Sequence, residues 1–471
     1  MMIRAIRSFL SDDLTKLLLS GGASAAIIKI ASAAAAYAML VVLARLMSPE
    51  EFGRFAFGLS LALTLSLVFS FGLPVASLRF WQQHKVKNQP ALARSFIAHG
   101  AYAVTLGAAA CAVLFFVIAS SVTGGDASYS TEYWFVLALL IGLMAVSEFV
   151  QSSLRADGVI IRSLAPRDVG WRVLVIAISL IAAGKAMSFG AESALWIAVA
   201  CLSAITLPQL LFATRRLGIR RDDFRSPTEW PTWIRSTWPM WGSAILLGLI
   251  QQFDVVLLGI FLGPEQTGPY FAALRTASLM TLLLFASNMV AAPLISKYFH
   301  SANRDRLVRM SRILVIGITI PTLFGFLTLV LFGDWLLSVF DPAFADAYGL
   351  LIVLSAGFAL TALGGPVSYF LQMVGYERHN LKIQGGIYAA VVTLQCVLVP
   401  MIGAMGAAIP NAVGAAIATV WAVLLLRKRI GIDPSVLSLV LPVRDKNALT
   451  DIGSRPDPRL GIVSASARTD D

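Results

Sequence analysis

Six ionisable residues stand inside long apolar runs or at their ends: Lys29, Arg45, Arg79, Arg172, Asp254 and Arg275. A charge in such a run is costly and marks a site by default. A guanidinium is planar, stays charged at any physiological pH and grips a phosphate or diphosphate through paired hydrogen bonds. Two cations within the spans, Lys29 and Arg275, against one deep acid, Asp254, lean toward an anionic ligand. Arg79 and Arg172 would meet it at the inner side, Lys29 deeper in, and Arg45 and Arg275 toward the outer side. A plainer reading stands beside each. Arg45 and Lys29 serve equally as interfacial anchors whose heads snorkel to water, and Arg79 and Arg172 are basic as inner loops generally are. Asp254, beside Gln251 and Gln252, is either a buried salt-bridge partner of Arg275 or a protonation or gating group for coupling. Glu148 reads as an interface residue or a partner of Arg155.

The residues that would carry catalysis are missing from this pattern. His84, His99, His300 and His379 are scattered, with no paired ligand spacing. Cys111, Cys201 and Cys396 lie in apolar runs without metal or redox spacing. No phosphate-cradling glycine loop is present, so ATP is not the direct energy source. The expectation is a protein that is not an enzyme and needs no metal or cofactor, and whose transport is downhill or driven by an ion gradient.

The elements that position these charges follow from composition. Of 471 residues, 58% are hydrophobic and 13% charged, against about 25% charged in a soluble domain. The apolar residues come in blocks of about 18 to 25, enough to cross a bilayer as helix. Helices are predicted near 24–45, 55–73, 96–120, 133–151, 169–187, 193–213, 240–262, 272–296, 311–333, 347–374, 383–402 and 406–426. All but five of the 37 lysines and arginines then fall on one side, the exceptions being Lys29, Arg45, Arg54, Lys185 and Arg275. That side is cytoplasmic by the positive-inside rule, with both termini. The net charge of +11 is thereby explained without nucleic acid. Residues 1–19 carry Ile3, Ile6, Phe9, Leu10, Leu14, Leu17 and Leu18 at helical spacing, an amphipathic interfacial helix. The apolar run continues to Ala44, too far for a signal peptide. The predicted organisation is therefore a surface helix (1–19), a six-helix bundle (20–213), a cytoplasmic basic linker (214–239), a second six-helix bundle (240–426) and a disordered cytoplasmic tail (427–471).

The halves repeat. Ser48-Pro49-Glu50-Glu51-Phe52-Gly53-Arg54-Phe55 joins the first two helices, and Gly263-Pro264-Glu265-Gln266-Thr267-Gly268-Pro269-Tyr270 joins the seventh and eighth. Leu154 to Gly158 and Leu371 to Gly375 match at nearly the same offset. Six spans per half give both halves one orientation. This predicts an all-α integral membrane protein of about twelve transmembrane helices, in two parallel six-helix bundles around a central cavity.

Leu43-Ala44-Arg45-Leu46-Met47-Ser48-Pro49-Glu50-Glu51-Phe52-Gly53 resembles the first-hairpin signature of the polysaccharide-transport (Wzx-type) branch of the MATE-like flippase superfamily. Pro239-Met240-Trp241-Gly242, Asp254 and Gly263-Pro264-Glu265 through Tyr270, Ala273 and Arg275 resemble it too. The likeness covers roughly residues 20–426 and does not extend beyond Arg429. It implies flipping of undecaprenyl-diphosphate-linked oligosaccharide repeat units across the cell inner membrane, for O-antigen, capsule or exopolysaccharide. Lipid-linked oligosaccharide, membrane lipids and the polysaccharide polymerase machinery are the partners implied. Two other classes remain: a multidrug or cation antiporter of the same superfamily, and a membrane-embedded polymerase, ligase or glycosyltransferase. The predominance of cations in the spans leans away from the first. The short outer loops speak against the second.

Overall fold

The computed structural model describes residues 22–122, 129–184, 189–224, 229–282, 284, 291, 295, 298, 299 and 304–440. The predicted surface helix at 1–19 lies outside them, as do Lys185 and the tail beyond residue 440. Among the described residues every regular element is helical. In chain order the α-helices are α1 Gly22–Leu46, α2 Pro49–Phe69, α3 Leu73–Val86, α4 Pro90–Val122, α5 Thr131–Ala156, α6 Ile160–Ala165, α7 Trp171–Ala183 and α8 Ala191–Leu217. There follow α9 Trp230–Phe261, α10 Pro264–Ser278, α11 Arg304–Ser338, α12 Tyr348–Leu363, α13 Val367–Met373, α14 Glu377–Ile402, α15 Met405–Ile430 and α16 Leu437–Val440. Among the described residues nine helices are long and apolar enough to span a bilayer, or ten if α9, bent by 46°, counts as one span. Of the other two predicted spans, the fifth is the run from α6 to α7, interrupted by a wide turn. The eighth begins as α10 and passes out of the described residues.

The helix ends differ from the apolar blocks for local reasons. Ser48 caps α2, its Oγ accepting the Glu51 N–H at 3.3 Å, with Pro49 in the first turn and Glu50 and Glu51 facing the helix dipole. The second span therefore starts at Pro49, not at residue 55. The predicted linker 214–239 shortens from both sides, because α8 runs to Leu217 and α9 starts at Trp230. Trp233, fully buried against Phe80, His84 and Phe96, holds the start of α9 on α3 and α4. The predicted tenth span breaks between α12 and α13, where Pro366 follows Gly365, whose φ is 66°. Residues 427–440, predicted to begin a disordered tail, are folded: Arg427 pairs with Asp433 at 3.2 Å. The Val436 N–H closes on the Leu363 carbonyl at 3.0 Å.

The chain falls into two compact units. The first holds residues 1–279 with 332–352 and 392–408, and the second holds 280–331, 353–391 and 409–471. In the first unit, α2 and α5 are the interior helices: 67% of each apolar window is buried, against 17% for α4, which turns Tyr102, Leu106, Val113 and Val117 outward. Lipid is the natural solvent for that face.

The repeated motifs meet inside this unit. A Cβ on Gly53 would overlap the Pro264 carbonyl, and one on Gly268 would stand 3.0 Å from the Pro49 carbonyl. Each copy of Pro-x-x-x-Gly thus lays its glycine on the other copy's proline, the reciprocity of a two-fold contact. The same end of the unit carries Phe52, packed on Phe271, Phe340 and Phe344. Alanine at Gly53 would gain about 1 kcal/mol of helix propensity, but the collision with backbone cannot relax as a side chain would. Gly53→Ala is therefore expected to cost roughly 1–3 kcal/mol and to lower the thermal unfolding midpoint in detergent. Gly317→Ala, inside α11 and meeting nothing within 4 Å, keeps the propensity gain and leaves the midpoint unchanged or raised. Equal midpoints for the two variants would refute the close approach.

Candidate functional site

Pro166 sits within the helical run that joins α6 to α7, and a π turn spans Pro166–Gly170. A proline lacks the N–H that would continue the α pattern, and the wider turn re-aims the residues on it. Here it carries Arg167 and Asp168, with Arg172 about one turn further on. Asp168 is buried. Its carboxylate accepts from Lys29 Nζ of α1 at 2.5 Å and from Gln151 Nε2 of α5 at 3.1 Å. Arg167 Nη1 lies 3.8 Å from the same carboxylate and pairs more closely, at 2.6 Å, with Glu148 of α5. It also donates to Gln151 Oε1 at 3.1 Å. In this network each carboxylate already faces a cation.

Arg172 is different. Its guanidinium donates to the Ser32 hydroxyl of α1 at 2.7 Å and to the backbone carbonyl of Asp168, and it lies over the Trp171 ring. Arg275, on α10, donates to Gln252 Oε1 of α9 at 2.7 Å and stacks on Phe271, 4.7 Å from the ring centroid. Both guanidinium groups lie deep in the protein, and the charge of Asp168 and, less strongly, that of Arg275 reach Arg172 through space. Both keep part of their surface accessible. Among the described residues no carboxylate stands within ion-pair distance of either. Asp254 acts on Arg275 through space. The expected direct pair gives way to two polar contacts, because Asp254 accepts from the buried Tyr270 hydroxyl at 2.7 Å. One helix links the two arginines: α1 reaches Arg172 through Ser32, and it reaches the turn beside Arg275 through Tyr37, whose hydroxyl meets Thr276 Oγ1 at 3.3 Å.

The other predicted residues lie elsewhere. Arg45 is exposed and donates to the Val339 and Ser338 carbonyls at 2.6 and 3.1 Å, capping the C-terminal end of α11. Arg79 is exposed on α3, with its guanidinium 5.6 Å from the Phe80 centroid. Glu148 takes Arg167 rather than Arg155, which donates to Ser152. Asp168, Gln151 and Ser32 were not singled out from the sequence. The predicted fifth span began at residue 169, so Asp168 read as loop. The usable signal was Pro166 followed by Arg167-Asp168 and then Trp171-Arg172, a charged run that keeps helical spacing.

These features belong to a known fold. A multidrug resistance MATE family transporter of the MOP superfamily, in an inward-facing conformation, matches with a TM-score of 0.70 at 17% identity, over 86% of this chain and 98% of that one. A MOP superfamily transporter from Pyrococcus furiosus, whose binding pocket is described as having reverse polarity suggesting a different function, matches with a TM-score of 0.62 at 16% identity, over 90% of this chain and 97% of that one. In sequence, the probable flippase AglR of Haloferax volcanii is 26% identical over 192 residues. That stretch spans 40% of this chain and 40% of AglR. Residues 18–299 match the family model described as polysaccharide biosynthesis protein, and the chain belongs to that family. It is a multi-pass membrane protein whose fold is that of the MATE transporters.

The Lys29–Asp168 pair is asymmetric: the lysine side chain is 36% exposed and the aspartate 6%. Lys29→Met strands a buried carboxylate, whereas Asp168→Asn leaves a cation that still reaches accessible space. The first is expected to cost about 2–4 kcal/mol, less than a fully buried pair because of the lysine's exposure. The second should cost under about 1 kcal/mol, and the double variant should recover most of the loss. Thermal unfolding midpoints in detergent measure this. A Lys29→Met midpoint at or above that of Asp168→Asn would contradict the asymmetry.

Proposed function

We propose that the protein carries undecaprenyl-diphosphate-linked oligosaccharide repeat units from the inner to the outer leaflet of the cytoplasmic membrane, for O-antigen, capsule or exopolysaccharide assembly. One observation carries the reading. Arg172 and Arg275 are deep and partly accessible, and their nearest acceptors are neutral. Two deep guanidinium groups whose acids, Asp168 and Asp254, act on them only through space are kept at a cost that an anion joining them would relieve. A diphosphate diester offers two charges and the oxygen geometry that guanidinium forks match. The name of AglR, a probable flippase, supports the flipping activity.

The direction follows from topology. The distribution of basic loops supports a cytoplasmic Arg79 end, and in this reading the diphosphate meets Arg79 first, then Lys29 and Arg172, then Arg275. The sugar head cannot enter hydrocarbon without losing its hydrogen bonds, so it travels through the protein while the prenyl tail stays in lipid. The two halves, 20–213 and 240–426, alternate access. Contacts to the diphosphate must then differ between states, since only differential affinity moves the equilibrium. Asp254, held by Tyr270, is the candidate for coupling or gating. Arg45 acts as the cap on α11 and gates by holding it, instead of touching cargo.

A cation antiporter of the same fold needs acids free to take a cationic drug. Lys29 and Arg167 already face Asp168 and Glu148 at 2.5 and 2.6 Å, which disfavours it. Arg275→Ala and Arg172→Ala are each expected to abolish surface polysaccharide at normal protein level, with lipid-linked repeat units accumulating on the inner leaflet. Lysine at either position should restore part of the activity, keeping the charge and losing the fork. Normal surface polysaccharide in both alanine variants would exclude these arginines from the cargo path.

A further inference from the structure

Asp168 has a place in the site that the reading above does not use. We infer that Asp168 is an internal stand-in for the substrate's phosphate: it holds Lys29 while the site is empty, and takes up a proton when an anion draws Lys29 away. The inference rests on the proposed anion site and adds a proton linkage to it.

Geometry makes the exchange one-sided. Of the two partners, the lysine side chain is 36% exposed and the aspartate 6%. An arriving phosphate therefore reaches Lys29 but cannot displace Asp168 from its burial. The anion has every reason to recruit Lys29, because Arg172 lies beside it: Asp168 binds Lys29 by its side chain and Arg172 by its carbonyl. Asp168 cannot follow, being fixed on the π turn between Pro166 and Gly170.

The carboxylate left behind is poorly compensated. Every element packed on the π turn contributes to its surroundings. From α1 come Lys29 and the neutral Ser32, and from α5 Gln151 at 3.1 Å and Glu148. The turn itself supplies Arg167, which stands at 3.8 Å and is held at 2.6 Å by Glu148. From α6 comes Arg162, stacked on Phe212, and from α7 comes Arg172. Gln209 of α8 donates to the Arg162 and Ser163 carbonyls, and the charge of Arg275 acts on Arg172 from α10. Once Lys29 turns to the anion, the carboxylate keeps one neutral donor at contact distance and an arginine shared with a second acid. A buried carboxylate in that position is relieved by protonation. The step balances simply. One proton from the accessible space beside Lys29 makes the Asp168 carboxyl group, and it leaves when the anion departs and Lys29 returns.

The sign is fixed by linkage: binding that takes up a proton strengthens as pH falls. The probe is farnesyl-diphospho-N-acetylglucosamine, a diphosphate diester whose own charge is constant between about pH 6 and 8, titrated into the purified wild-type protein in nanodiscs. Affinity should rise by up to about tenfold per unit fall in pH, with about one proton taken up per site in calorimetry across buffers of different ionisation enthalpy. Asp168→Asn should bind with no pH slope, at least as tightly as wild type at the acid end. Wild-type binding without proton uptake overturns the inference and leaves the anion site standing, and so does an Asp168→Asn slope equal to wild type. The buffer measurement needs no variant, so it decides the matter even if Asp168→Asn fails to fold. Failure of the wild type to bind at any pH overturns the anion site and the inference together.

Discussion

A charge inside a bilayer must be neutralised, solvated or used, and this constraint orders the interior of the first unit. Beside the π turn each acid stands opposite a cation, Asp168 opposite Lys29 and Glu148 opposite Arg167, while Asp254 takes the Tyr270 hydroxyl. Hydroxyls, amides and carbonyls complete the shells of Arg172 and Arg275, and the acids Asp168 and Asp254 reach them only through space. Replacing those neutral acceptors by carboxylates would stabilise the empty protein and, on the proposed reading, remove its affinity for an anion. The pattern of pairing, more than the number of cations, gives the site its sign.

The helices serve that pattern. α1 is the common rail, touching Asp168 through Lys29, Arg172 through Ser32 and the Arg275 turn through Tyr37. At its far end Arg45 holds the carbonyls that close α11. A shift of α1 along its axis would alter every one of these contacts together, which suits a carrier whose anion contacts must change between states. The reciprocal seating of Gly53 on Pro264 and Gly268 on Pro49 fixes α2 against α10 beside that rail. Any motion at this end must act on both copies of the repeat.

The sequence carries the helices clearly, since hydrocarbon demands long apolar runs and internal backbone pairing. It carries the repeat as well, because each copy needs glycine at the crossing. What it hid is polar and local. Asp168 sat one residue before a predicted span, and only the π turn after Pro166 returns it to the interior. Trp230 and Trp233 belong to a helix start that is amphipathic, not hydrophobic, so the apolar pattern began ten residues late. Arg45 announced a charge at a helix end but not its acceptors, which lie nearly three hundred positions away at Ser338 and Val339. Lys29, Arg172 and Arg275 stand out in the sequence as cations in or beside apolar runs, where anchoring and inner-loop charge account for them as readily as a ligand does. Their partners were not legible, because pairing depends on tertiary contact.

The central claim is that this chain moves a lipid-linked sugar by its anionic headgroup. Proteoliposomes test it most directly. Undecaprenyl-diphosphate oligosaccharide bearing a fluorophore on the sugar is placed in both leaflets, and a membrane-impermeant quencher is added outside. Wild-type protein is expected to bring fluorescence well below the half that survives in protein-free vesicles, at a rate that collapses when Arg172 and Arg275 are both alanine. Half the fluorescence surviving with folded wild-type protein, or equal rates with and without the two arginines, would contradict the account.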